Sequence, residues 1–142
     1  MFSTPPTALE PYRLRAAEHQ AAAEKVAKAA EGRKIADAVA AAEFYKTAFL
    51  ATDITPMMAD DGKRYMHCSF IVNGGMVYMS DSFPEYGVPW VQPQGFNLHL
   101  NVDDAQKWWD RAVAAGCEVT MPLEKQFWGD IYGQLKDAYG IT

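Results

Sequence analysis

The chain is poor in cysteine and histidine, short of basic charge and without a long apolar run. Its two cysteines, Cys68 and Cys117, are too few for a disulfide framework and are not spaced as a metal-binding pair. Each lies in a strand-like run, which predicts buried free thiols in a reducing, cytoplasmic setting. No basic neighbour close in sequence points to a lowered thiol pKa. Lys and Arg number 13 against 18 Asp and Glu, for a net charge of −5. That balance argues against a nucleic-acid partner, which needs a basic face for phosphates, and against an anionic membrane surface. No segment approaches the length of a membrane span. Residues 1–6 lack the basic-then-apolar pattern of a secretory signal, and none is expected. G-x-S-x-G, the phosphate-cradling G-x-x-x-x-G-K-[ST] and G-x-G-x-x-G are all absent.

What remains is an ordinary globular composition. In 142 residues, 49% are hydrophobic and 22% charged, which fits one domain. Residues 1–31 form an N-terminal extension. Its segment 15–31 is rich in alanine and charge, predicting a weakly packed helix ended by Gly32. Residues 32–142 form the main domain. A helix is predicted over 37–49 with Asp37 as cap. Strands are predicted near 52–58, over 64–72 and over 76–80, with Asn73-Gly74-Gly75 as a hairpin turn. Prolines 84, 89 and 93 mark a crossover loop. The second half repeats the pattern. Gly95–Val102 reads as a strand, and Asp103 or Asp104 caps a helix with Ala105, Trp108, Trp109, Ala112 and Val113 on its apolar face. Strands then follow from Cys117 and near 129–137. Helices alternating with hairpin-linked strands give an α+β layer fold with an internal duplication.

Strand alternation nominates the side chains of a wall. In 95–102, Phe96, Leu98, Leu100 and Val102 form an apolar face, while Asn97, His99 and Asn101 form a polar one. In 64–72, Met66, Cys68, Phe70 and Val72 oppose Tyr65, His67 and Ser69, and Tyr78 joins the polar side from the next strand. This polar set either looks into a ligand pocket or forms the half-exposed outer face of ordinary antiparallel strands. His19, in the alanine-rich segment, is expected at the surface. Asp81 and Asp130 read as turn carboxylates.

The segments 37–49, 60–81 and 100–140 resemble, in sequence and order, the glyoxalase/bleomycin-resistance/extradiol-dioxygenase (vicinal oxygen chelate) superfamily. The similarity is strongest to its PhnB-like branch, through QFWGDIYGQLKDAYG at 126–140. The resemblance implies two βαβββ modules forming a curved mixed sheet around a cavity, helices outside, and commonly a homodimer. It implies a pocket for a small-molecule ligand, with Trp128 and Tyr132 as candidate aromatic walls beside Tyr65, His67, Tyr78, Asn97 and His99, or alternatively with Trp128 filling core space while Gly129 and Gly133 permit bends. Many relatives hold a divalent metal (Ni, Zn, Mn or Fe) that polarises the substrate. Here Asn97 stands where metal-binding relatives place a ligand histidine, and asparagine suits such metals poorly. His67 and His99 are the remaining candidate ligands, or else hydrogen-bonded histidines of the pocket wall. The sequence departs from the family elsewhere. The first strand is either Leu9–Leu14 or missing, Leu50 replaces a usual glycine, and Ala138 replaces a usual proline. The family's last strand is expected to be missing after Thr142. Two functions stay open: a metal-dependent lyase, isomerase or oxygenase, and a binding protein that sequesters a planar or aromatic ligand without turnover. Unpaired strand edges favour a homodimer, with the N-terminal helix as a possible exchanged element.

Overall fold

The computed structural model describes residues 37–142. The expected N-terminal helix, His19 and the strand at Leu9–Leu14 lie outside the described residues. Helix α1 covers Ala38–Phe49. Asp37 caps it as expected, its carboxylate accepting from the Ala40 N–H at 2.9 Å and satisfying one free donor of the first turn. Small residues, Ala38, Ala41, Ala42 and Ala48, form its buried stripe. The helix ends on Leu50, which is left-handed (φ 52°, ψ 39°) and donates its N–H to the Tyr45 carbonyl. This is the conformation for which glycine is the usual residue, so the leucine carries strain there.

Strands β1 (Thr52–Met58), β2 (Tyr65–Val72) and β3 (Gly75–Met79) form an antiparallel sheet in that order. The β2–β3 turn has Asn73 and Gly74 at φ 47° and 79°, the paired positive values that make Asn-Gly a hairpin signal. Pro56 sits in the edge strand β1, where its lost donor does least harm. Cys68, Phe70 and Val72 of β2 and Ala51 form the buried core, with Tyr45, Phe49, Val77, Met79 and Trp108 packed on it. Met66, assigned to the same apolar set, is exposed instead. Asp81 is buried and staples helix to sheet, accepting from the Ala38 N–H at 2.9 Å and the Tyr65 N–H at 2.6 Å.

Helix α2 covers Ala105–Ala114 and is capped by Asp104, which accepts from the Lys107 N–H at 3.1 Å. It packs against α1 and buries Ala112 and Val113. Strands β4 (Glu118–Lys125) and β5 (Ile131–Lys136) follow as an antiparallel pair. Each half is thus a helix followed by antiparallel strands, and no closed barrel forms among the described residues. This is the α+β class that the sequence predicts.

One expected element differs. Residues 95–102 carry a strand's alternation but are not a strand. Among the described residues, their one ladder-like bond runs from the Leu98 N–H to the Thr142 carbonyl at 2.8 Å. Phe96 and Leu98, expected to pack on the helices, are 54% and 56% exposed. Alternation specifies the two faces of a strand, but a strand also needs a bonded neighbour for its backbone groups.

Candidate functional site

Strand β5, residues 96–103, helix α2 and strand β3 surround a cavity of about 950 Å³. Its walls differ in character. On one side Trp108, Trp109 and Ala112 of α2 meet Phe70, Val72 and Val77 of the first sheet. Gly133 of β5 faces this side, since a Cβ added there would lie 2.6 Å from the Trp109 ring. Its neighbours Tyr132 and Gln134 therefore point the other way.

That second side is aromatic and amide-rich. The His99 and Tyr132 rings stack with centroids 5.8 Å apart and an interplanar angle of 18°. Trp128 meets Tyr132 edge-on at 6.0 Å. The Gln134 side chain donates to the Tyr132 hydroxyl at 2.9 Å, which fixes the phenol and leaves its own proton to donate. Asn97 and Asn101 lie along the same lining. Asn101 belongs to the polar face nominated with Asn97 and His99, whereas Gln134 was not singled out as a site residue from the sequence. Gln134 shares the face of Tyr132 by simple alternation, a signal present in the segment.

Of the candidate wall, Asn97, His99, Tyr78, Trp128 and Tyr132 line this cavity. Tyr65 and His67, expected beside them from alternation, are not among its lining residues. Tyr65 is half-buried and packs on the core of the first sheet. His67 is exposed and sits over Tyr78 at 5.4 Å. The β1–β2 pairing shifts register between Met57, opposite His67, and Met58, opposite Tyr65, so Tyr65 falls out of the alternation that runs from His67 onward. The two histidines thus rest on different tyrosines. Among the described residues, no three His, Cys, Asp or Glu side chains come together as a metal-binding group. With asparagine at position 97, this donor set does not fit a tightly held transition metal.

Charge adds a further constraint. Among the described residues, the lining includes Asp103, Asp130 and Asp137 and no lysine or arginine. Asp137 is buried, and its carboxylate accepts from the Tyr45 hydroxyl and from the Tyr139 and Ile141 N–H groups, each at 2.8 Å. Burial pushes its pKa up in spite of these bonds, and burial with the adjacent Asp137 pushes the Tyr45 phenol up as well. The same desolvation raises the Cys117 thiol to about 12. Asp137 and Tyr45 therefore act as a clamp on the turn after β5.

Residues 34–142 match the model of the Glyoxalase/Bleomycin resistance protein/Dioxygenase superfamily. The chain belongs to this superfamily. Among superfamily relatives, an uncharacterized protein of Mycobacterium bovis is 34% identical over 110 residues, 73% of this chain and 72% of that protein. An uncharacterized protein of Mycobacterium tuberculosis shows the same identity, and there the chain spans 64% of the relative's length, under two thirds. The crystal structure of protein PA1353 from Pseudomonas aeruginosa superimposes with a TM-score of 0.52 and 27% identity, over 72% of this chain and 82% of that one. Superfamily membership and the fold are thereby settled.

Proposed function

We propose that this chain binds a planar small molecule that is uncharged or cationic, and that it does so without a metal. The observation that carries this reading is the His99–Tyr132–Trp128 wall, with Gln134 fixing the Tyr132 hydroxyl. Flat aromatic side chains bury a planar ligand well, and a few placed amides orient it. A cation gains further from the faces of Tyr and Trp. An anion would meet Asp103 and Asp130 with no basic side chain among the lining residues. Asp137 does not serve as a general base in this reading. Its oxygens are engaged by Tyr45 and by the turn itself, and a base needs a free lone pair toward the ligand.

The test is equilibrium dialysis of the full chain with two planar dyes, the cation proflavine and the anion fluorescein. Saturable binding of proflavine, weakened at least tenfold by Trp128→Ala, is the expected result. Preference for fluorescein, or no binding of either dye, would overturn the reading. A metal-dependent enzyme remains the rival. Near-stoichiometric nickel, zinc, manganese or iron in the purified protein, lost on His99→Ala, would favour it instead. Homodimer formation belongs to the same proposal, supported by the edges of β5 and of 95–102, which have no ladder partner there among the described residues. Sedimentation velocity reads it directly. Two buried free cysteines support the cytoplasmic placement.

A further inference from the structure

The aromatic wall carries three primary amides, those of Asn97, Asn101 and Gln134. An amide offers a donor and an acceptor side by side in one plane. Among the described residues, neither the Asn97 nor the Asn101 side chain has a hydrogen-bond partner. Asn101 is held from behind, since its own carbonyl accepts from the Asn73 side-chain amide at 2.6 Å. Gln134 gives one N–H to the Tyr132 hydroxyl at 2.9 Å and keeps its oxygen as an acceptor.

His99 stands between two of these amides, with Asn97 at i−2 and Asn101 at i+2. One face of its imidazole lies on Tyr132. The residue is exposed, and among the described residues no other ring stacks on it. The second face is therefore a platform with an amide on either side.

Two constraints on the ligand follow. A flat ring on the outer face of His99 brings its edge to Asn97 and Asn101. To satisfy an amide, that edge must itself place a donor beside an acceptor, as in a lactam or an amidine. Two hydrogen bonds then form in one plane, the geometry in which Asn and Gln read adenine. An edge of acceptors alone, such as that of a quinone, leaves the amide oxygen unmatched, which costs affinity. The second constraint is charge. Asp103 and Asp130 line the cavity, and no lysine or arginine does among the described residues, so a phosphate finds no cation to meet.

We propose that the ligand is a nucleobase or its nucleoside, free of phosphate, stacked on His99 and held along its edge by the Asn97 and Asn101 amides. Stacking on a flat side chain with bonds to the base edge is how unpaired bases are recognised in general. The shortage of basic charge that argues against nucleic acid does not bear on an uncharged nucleoside. The inference names the chemical class of the ligand proposed above and rests on that reading.

The experiment is equilibrium dialysis of the full chain with adenosine, guanosine, cytidine and uridine, with their 5′-monophosphates, and with proflavine. The expected result is saturable binding of at least one nucleoside, with its monophosphate at least tenfold weaker. His99→Ala should weaken the nucleoside about tenfold through lost stacking. The double variant Asn97→Leu, Asn101→Leu should weaken it by about tenfold or more and leave proflavine binding little changed, which also shows that the variant is folded. Proflavine binding with no nucleoside bound at millimolar concentration overturns this inference and leaves the ligand reading standing. If neither binds, both fall. A monophosphate that binds as tightly as its nucleoside overturns the inference. So does a double variant that holds the nucleoside as tightly as the wild type, or that loses nucleoside and proflavine equally.

Discussion

Gly133→Ala places one methyl group where the second half has no room. The added Cβ would lie 2.6 Å from Trp109 Cζ3, 2.8 Å from Leu123 Cα and 3.0 Å from Leu123 N. Carbon atoms pack at about 3.5–4.0 Å, so the nearest contacts fall short by about 0.7–0.9 Å at least. Gly133 is not among the left-handed glycines, so the effect is steric and not conformational. The Trp109 ring has a cavity beside it and is free to swing. Leu123 presents backbone, held between the Met121↔Gln134 and Glu124↔Tyr132 pairs of the β4–β5 ladder. Relief on that side means prising the two strands apart. Overpacking costs about 1–3 kcal/mol, and a rigid backbone neighbour puts this site at the upper end. With a urea dependence of about 1–3 kcal/mol per molar, the unfolding midpoint should fall by roughly 1 M with an unchanged slope. Tryptophan fluorescence across a urea series measures it. Trp109→Phe trims the ring, so the double variant should lose less than the sum of the singles, with coupling of about 0.5 kcal/mol or more. A loss below about 0.5 kcal/mol for Gly133→Ala, the usual size of an inert surface change, would refute the reasoning.

Leu50→Gly should raise stability by up to about 1 kcal/mol, since a left-handed residue with a Cβ costs about 1–2 kcal/mol and glycine's greater unfolded freedom returns part of that; thermal unfolding checks the sign. Asp137→Asn should cost about 1–3 kcal/mol, because a buried acceptor of three bonds loses one oxygen. The pH profile carries a second signature. A raised folded pKa means that the folded chain holds the Asp137 proton more tightly than the unfolded chain. Stability from this group is therefore greatest below the unfolded value of about 3.9 and declines as pH rises through the folded one, a slope that Asp137→Asn removes. Cys117, with its thiol pushed up to about 12 and fully buried, should resist iodoacetamide at pH 8 in the native protein and react in urea; mass spectrometry of the labelled chain decides.

The local signals in the sequence were strong where the physics is local. Asp37 and Asp104 cap the helices they precede, because capping needs only a short acceptor and the next turn's donors. Asn73-Gly74 turns the β2–β3 hairpin for a similarly local reason. The site was half legible. Trp128, Tyr132, His99, Asn97 and Tyr78 reach the cavity, whereas a register shift opposite the start of β2 turns Tyr65 toward the core, and His67 lies exposed beside Tyr78. Residues 95–102 show the limit most plainly, since a perfect alternation still depends on a neighbour that lies far away in sequence. The Asp137–Tyr45 contact spans 92 positions and left no local trace.

Among the described residues, the two sheets share no strand. Communication between the halves runs through helix packing, the Tyr45–Asp137 bond and the Asn73 amide on the Asn101 carbonyl. A continuous ladder would spread a local opening along its backbone bonds. Here the joint is made of a few side chains, and cooperativity is concentrated in them. Loosening Tyr45 should therefore split one unfolding transition into two, with the β4–β5 hairpin melting ahead of the β1–β3 sheet.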